Sequence, residues 1–248
     1  MKKILVPSLI ALALGSVSGL AQAQAAAPES TLSFNVGAVS DYRYRGISQS
    51  RLQPAVQGGF DYADKSGFYV GAWGSSIKWI KDTTDVTSGS SELDIYAGYK
   101  GAAGALAYDV GVLRYVYPGN DYANYGVNAN TTEIYGAGTL GPITLKYSRA
   151  TTELFGNPDS KGSYYIDMSA AFDLGNGFTL TPHVGYQKVK NVVDASYTDY
   201  SLTVGKDLGN GLSATAAIVG TDADKEFYKL KEKFNGKSGV VVGLKYAF

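Results

Sequence analysis

The sequence predicts an all-β protein, an antiparallel up-and-down transmembrane β-barrel of about 12 strands. Three observations predict it. Apolar and polar residues alternate with a period of two along segment after segment. The connections between those segments alternate strictly between short and long. The composition is rich in Tyr (20) and Gly (31) and only 18% charged, against roughly 25% in ordinary soluble domains.

The alternation is plainest in the last segment. Val240, Val242, Leu244, Tyr246 and Phe248 share one face, and Gly239, Val241, Gly243, Lys245 and Ala247 the other. Near the start, Leu32, Phe34, Val36 and Ala38 share a face that continues into Tyr42 and Tyr44, opposite Ser33, Asn35, Asp41, Arg43 and Arg45. Marking every such run gives strands near 31–45, 54–62, 68–79, 91–100, 105–116, 130–140, 143–152, 163–173, 178–189, 196–206, 212–221 and 238–248. The short connections, 63–67, 101–104, 141–142, 175–177 and 209–211, are built from Gly, Asn, Asp and Pro, the residues that hairpin turns need. The long ones are 46–53, 80–90, 117–129, 153–162, 190–195 and 222–237. Short turns on the periplasmic side and long loops outside are the pattern of outer-membrane barrels.

Hydrocarbon explains why the strands would close. It offers no hydrogen-bond partner, so strands cross it only in a sheet without edges. About 10 residues per crossing suffice, and the chain supplies them twelve times over. No run of 18 apolar residues exists to form a membrane helix. Aromatic residues are expected at both rims: Tyr42, Tyr44, Trp79 and Tyr117 near long loops, and Phe60, Tyr62, Tyr99, Phe172, Phe178 and Phe248 near short turns or the last strand. A soluble exported barrel or sandwich shows the same alternation with its faces exchanged. The two aromatic rims, the polar inward face and the aromatic Phe248 favour the membrane.

Residues 1–23 read as a Gram-negative secretory signal peptide followed by a single domain, 24–248. Met1-Lys2-Lys3 is basic, Ile4 to Leu14 is mostly apolar, and Ala21-Gln22-Ala23 is a small-residue cleavage site.

The composition removes whole function classes. With 22 basic and 22 acidic residues the net charge is zero, which gives no case for a nucleic-acid partner. Without Cys and with one His, thiol catalysis and Cys- or His-rich metal centres are excluded, and no cofactor is expected. Gly136-Ala137-Gly138-Thr139-Leu140-Gly141 matches a dinucleotide fingerprint but runs as a strand into a Gly-Pro turn, where the fingerprint needs a helix. Asp222 and Asp224 lack the spacing of a calcium loop. His183 shares inward parity with Thr179, Thr181 and Gly185, so it reads as a polar lumen residue. An outer-membrane hydrolase would need a Ser beside it.

The residues Ser40-Asp41-Tyr42-Arg43-Tyr44-Arg45-Gly46, with Pro54-Ala55-Val56-Gln57-Gly58-Gly59-Phe60-Asp61-Tyr62, Gly67-Phe68-Tyr69-Val70-Gly71-Ala72-Trp73 and Glu92-Leu93-Asp94-Ile95-Tyr96-Ala97-Gly98-Tyr99, carry a family resemblance. They resemble the opening of the TorF family of porin-like outer-membrane proteins. That resemblance implies an outer-membrane barrel and supplies neither substrate nor catalytic residues.

The inward charges are the candidate site. By parity they are Asp41, Arg43, Arg45, Asp61, Lys78, Glu92, Asp94, Lys100, Asp109, Glu133, Lys146, Asp167, Asp173, Asp199 and Lys245. As pore-lining residues the first choices are Asp41, Arg43, Arg45, Lys78, Glu92, Asp94, Glu133, Lys146 and Asp167, with Asp41, Arg43 and Arg45 at the constriction. The alternative for the two Arg residues is pairing with acids on neighbouring strands to brace the wall. Arg114 and Arg149 fall on the apolar parity, which places them at the outer rim or after a bulge, because mid-bilayer Arg costs about 2–4 kcal/mol. The expected function is passive diffusion of small hydrophilic solutes, with outer-membrane lipid and the barrel-insertion machinery as further partners. A non-conducting barrel with a structural or surface-binding role is the main rival, and an outer-membrane enzyme a weaker one.

Overall fold

A computed structural model describes residues 30–83 and 89–248. The expected signal segment, 1–23, lies outside the described residues, as do residues 84–88 of the second long loop.

The barrel wall is made by β1 (Thr31–Val39), β4 (Ala55–Ala63), β5 (Phe68–Ser76), β6 (Ser91–Ala103), β7 (Leu106–Val116), β8 (Thr131–Leu140), β9 (Ile143–Ala150), β10 (Tyr164–Ala170) with its continuation β11 (Phe172–Gly175), β12 (Phe178–Lys188), β13 (Tyr197–Gly209), β14 (Leu212–Thr221) and β17 (Gly239–Ala247). Every neighbour pairs antiparallel, and β10 with β11 counts as one staves' width, giving the 12 strands expected. The sheet has no edge, since β1 pairs with both β4 and β17 while β10 pairs with both β9 and β12. Two short hairpins stand apart from the wall: β2 (Arg43–Tyr44) with β3 (Ile47–Ser48), and β15 (Lys229–Leu230) with β16 (Lys233–Phe234). Among the described residues the helical segments are α1 (Trp79–Thr83) and a 3-10 turn at Tyr122–Tyr125.

The faces decide between membrane and soluble barrel. Leu244 (56% exposed), Leu145 (52%), Ile218 (61%) and Val240 (68%) point outward. On the opposite face of the wall Ser148, Asp167, Thr181 and Asp199 are buried inside. A soluble barrel would hide the first set and show the second. A continuous apolar exterior of this kind needs lipid to cover it. On the short-turn side Phe34, Phe60, Tyr62, Phe172, Phe178 and Phe248 are exposed and form an aromatic rim.

The long-loop side departs from expectation. The first strand leaves the wall at Val39 and does not run on to residue 45. Tyr42 (1% exposed) and Tyr117 (3%) lie inside the barrel, not on its rim, and Tyr44 and Trp79 are half-buried beside them. They pack with Trp73, Ile77, Ile80 and Tyr115 in an apolar cluster beneath the loops. Outward aromatics at this end come instead from Tyr147, Tyr164 and Tyr186, which form a ladder across β9, β10 and β12.

Candidate functional site

Residues 40–54 connect β1 to β4 and fold into the barrel mouth. The inner hairpin β2–β3 turns on Arg45 (φ 47°) and Gly46 (φ 78°), between the paired residues Tyr44 and Ile47. Two consecutive positive φ values are what a two-residue hairpin turn requires. Arg is an uncommon residue there, and such a strained position persists only when its surroundings hold it. At Gly46 a Cβ would stand 2.7 Å from the Asp199 side chain, so any larger residue would push the tip off the wall.

The surroundings hold Arg45 on the far wall. In the closed sheet β8, β10 and β12 stand opposite β1, so the hairpin crosses the mouth from side to side. The Arg45 guanidinium donates through Nη1 and Nη2 to the two Glu133 carboxylate oxygens of β8, at 3.0 and 2.7 Å. Nη1 also donates to Gln187 Oε1 of β12 at 2.6 Å. The guanidinium lies between the Tyr44 and Tyr165 rings, 4.7 and 4.3 Å from their centroids. Both ends of the pair are buried, with 6% and 2% of their side chains exposed. This is a bidentate, charge-assisted contact of the strong kind.

The rest of the loop is equally tied. Asp41 accepts from Arg43 Nε at 2.5 Å, from Ser48 Oγ at 2.5 Å and from Ser50 Oγ at 3.1 Å. Arg43 Nη1 donates to the Gly46 carbonyl, and Asn235 of the last long loop accepts from Ser48 N at 2.9 Å. The Tyr42 hydroxyl donates to Glu92 at 2.7 Å. The second long loop clamps from above: the Gln49 carbonyl accepts from Lys78 N and Trp79 N, and Arg51 pairs with Asp82 at 3.1 Å.

Below this bridge the interior is polar. Tyr69 and Tyr96 donate to Asp109 and Asp61, both at 2.6 Å. Lys146 lies 4.4 Å from the Tyr135 ring centroid. Tyr165 donates to Asp199 at 2.9 Å and stands 3.2 Å from His183 Nε2. One carboxylate oxygen each of Asp94 and Asp167 is buried without a hydrogen-bond partner.

Residues 22–248 match the sequence model of a family described as "Bacterial protein of unknown function (Gcw_chp)". The chain belongs to this family. No curated protein matches it in sequence. Among solved structures it resembles the KdgM porin (TM-score 0.56, 8% identity, 87% of this chain and 99% of that one). It also resembles the NanC porin (0.54, 10%, 88% and 99%). A third is the COG4313 outer membrane channel from Pseudomonas putida F1 (0.52, 14%, 89% and 95%). KdgM is also seen in complex with disordered oligogalacturonate (0.53, 8%, 88% and 99%). At these identities the likeness shows the fold, a porin-type barrel. The TorF name drawn from the opening residues is not among what the comparisons found; Gcw_chp is the family shown.

In this Gcw_chp chain, then, Asp41, Arg43, Arg45, Glu92, Asp94, Glu133 and Asp167 are all buried in the interior, and Lys146 is half-buried there. Lys78, expected among them, is not. It lies beyond the end of β5, and Trp73, Ser75 and Ile77 hold the buried positions of that stretch. Asp173 is exposed and caps Gly175 N in a turn. Arg45 is paired with an acid, but that acid is on the opposite wall and not on a neighbouring strand. Sequence reasoning missed Gln187 and Tyr165. Both have inward parity, but nothing in the sequence ties them to residue 45. His183 has Ser169 and Ser201 as cross-strand partners, yet all three face the interior, away from the lipid a membrane hydrolase would need to reach.

Proposed function

We propose that this chain is a narrow outer-membrane channel through which small hydrophilic solutes diffuse, with residues 40–54 as its restriction. The observation that carries the reading is the Arg45–Glu133 bridge across a polar interior inside an apolar shell. A barrel with no aqueous task has no need to line its interior with paired charges, because apolar residues of similar volume are as stable or more so. Residues 1–23 are removed on export in this reading, and the barrel-insertion machinery delivers the chain to the membrane.

The interior also narrows the solute class. Asp41, Asp61, Glu92, Asp94, Asp109, Glu133, Asp167 and Asp199 outnumber Arg43, Arg45, Lys100, Lys146 and Lys245. An acid-rich lumen focuses a negative field and opposes anions. Neutral sugars, polyols and small cations are therefore the expected solutes, in contrast to the oligogalacturonate of the KdgM complex.

Purified protein refolded into liposomes should cause swelling with neutral sugars, and in planar bilayers it should give discrete, cation-preferring steps. Absence of both would overturn diffusion. The burial of Tyr42, Ser48 and Ser50 favours one second reading, a barrel sealed by its own loop. A parent that does not conduct, alongside a conducting variant lacking Arg45, would establish that reading instead.

A further inference from the structure

A second site lies on the outside of the barrel, at the long-loop end. Arg149 of β9 pairs with Ile134 on one side and Tyr164 on the other, and Tyr164 pairs with Lys188 of β12. This outward row therefore reads Ile134, Arg149, Tyr164, Lys188. Just above it, a pocket of about 850 Å³ is lined by Ile134, Arg149, Glu153, Asp159, Lys161 and Lys190, among others. Gly162 also lines it. A Cβ built there would stand 3.4 Å from Arg149 Nη2 and 4.0 Å from Lys190 Cδ, so the two cationic side chains converge over that glycine.

The pocket carries three cations, Arg149, Lys161 and Lys190, against two carboxylates, Glu153 and Asp159, and none of them is ion-paired. Among the described residues no carboxylate lies within ion-pair distance of Arg149, Lys161, Lys188 or Lys190. Glu153 is turned into its own loop, accepting from Lys161 N at 2.8 Å and Ser160 Oγ at 3.3 Å. Below the cations the surface is apolar and aromatic: Ile134 (51% exposed), then the Tyr147–Tyr164–Tyr186 ladder. Cations on a lipid-facing strand are disfavoured at depth and cost little at the interface, where anionic head groups can meet them.

We infer that this pocket binds the phosphate-bearing head group of a lipid in the leaflet beside the long loops. Arg149 and Lys190 hold the phosphate, Lys161 and Lys188 flank it, and the acyl chains lie against Ile134 and the tyrosine ladder. The inference rests on the membrane reading and not on conduction.

The test uses the full chain refolded in a neutral maltoside detergent and followed by native mass spectrometry. It is titrated separately with dilauroyl phosphatidic acid, dilauroyl phosphatidylcholine and inorganic phosphate. Phosphatidic acid should be retained over phosphatidylcholine, with no competition from inorganic phosphate. Arg149→Gln with Lys190→Gln should weaken that retention about tenfold or more, the loss expected for charged hydrogen bonds. Arg149→Lys should keep most of it. Equal retention of both lipids by the folded parent, or no change in the double variant, would overturn the site. Full competition by inorganic phosphate would show an anion site and overturn the assignment to lipid. A parent without a heat-modifiable barrel would overturn the membrane reading and the lipid site with it.

Discussion

Replacing Arg45 with Gln should release the loop that crosses the barrel mouth. Arg45 contributes the bidentate pair to Glu133, the bond to Gln187 and the stacking between Tyr44 and Tyr165. Glu133 keeps a weaker contact from the Tyr115 hydroxyl at 3.3 Å and loses its ion pair in a buried position. Removing one partner of such a pair costs about 3–5 kcal/mol. That corresponds to a shift of the docked-to-released equilibrium by a factor of about 10² to 10³ or more. The wall is spared because its ladders do not pass through Arg45, so the penalty falls on docking and not on the barrel. Planar-bilayer recordings should then show larger conductance steps. Reversal potentials in a salt gradient should move toward cations, because a guanidinium has left and Glu133 faces water. Adding Arg43→Gln should increase the cation preference further. Arg45→Lys keeps the charge without the two-pronged geometry and should fall between. Unchanged conductance and reversal potential in Arg45→Gln, with heat-modifiability confirming a folded barrel, would refute the latch and leave Arg45 as wall bracing only.

Four further outcomes are expected. Phe248 exchanges hydrogen bonds with Phe34 at 2.8 and 3.0 Å and stacks on Phe34 and Tyr246 at the β1–β17 seam, so its deletion should lower the yield of heat-modifiable barrel in outer membranes; an unchanged yield at native expression counts against it. Cysteines at Ile95, Leu145 and Leu244 should meet lipid-restricted quenchers, and cysteines at Lys146 and Lys245 should react with water-soluble thiol reagents; the reverse pattern would mean a wrong register. At Gly185 an added methyl would lie 2.0 Å from the Tyr165 hydroxyl, so Gly185→Ala should displace Tyr165 from Asp199 and lower the unfolding temperature, whereas Gly141→Ala, with open space around its Cβ, should leave Tyr165 in place. In the turn after β4, hydrogen bonds from Ser66, then Ser30, hold the Asp64 carboxyl down at about 2. A depressed carboxylate favours the fold above its unfolded pKa and loses that contribution as pH falls from about 4 through about 2. An NMR titration should show that midpoint and its rise in Ser66→Ala; a midpoint indifferent to Ser66 would contradict the cause.

The barrel was legible in the chain before any contact was known. Period-two alternation is a local property, readable from Val240 to Phe248 without knowledge of any partner strand, and turn chemistry is local too. Together they assigned twelve crossings, the lipid face with Leu244 and Leu145, and the interior face with Glu92, Asp167 and Asp199. They also marked Asp41, Arg43 and Arg45 as inward charges. The tertiary structure alone decided where the first loop goes. Arg45 meets a carboxylate 88 residues away and a glutamine 142 residues away, on wall strands with which its own small hairpin shares no sheet pairing. No periodicity encodes a contact across a lumen. For the same reason Tyr42 and Tyr117, which parity and position suited to a membrane rim, were drawn inside: the loop brought them an apolar cluster and a buried Glu92 to satisfy, and lipid was no longer the nearest apolar phase.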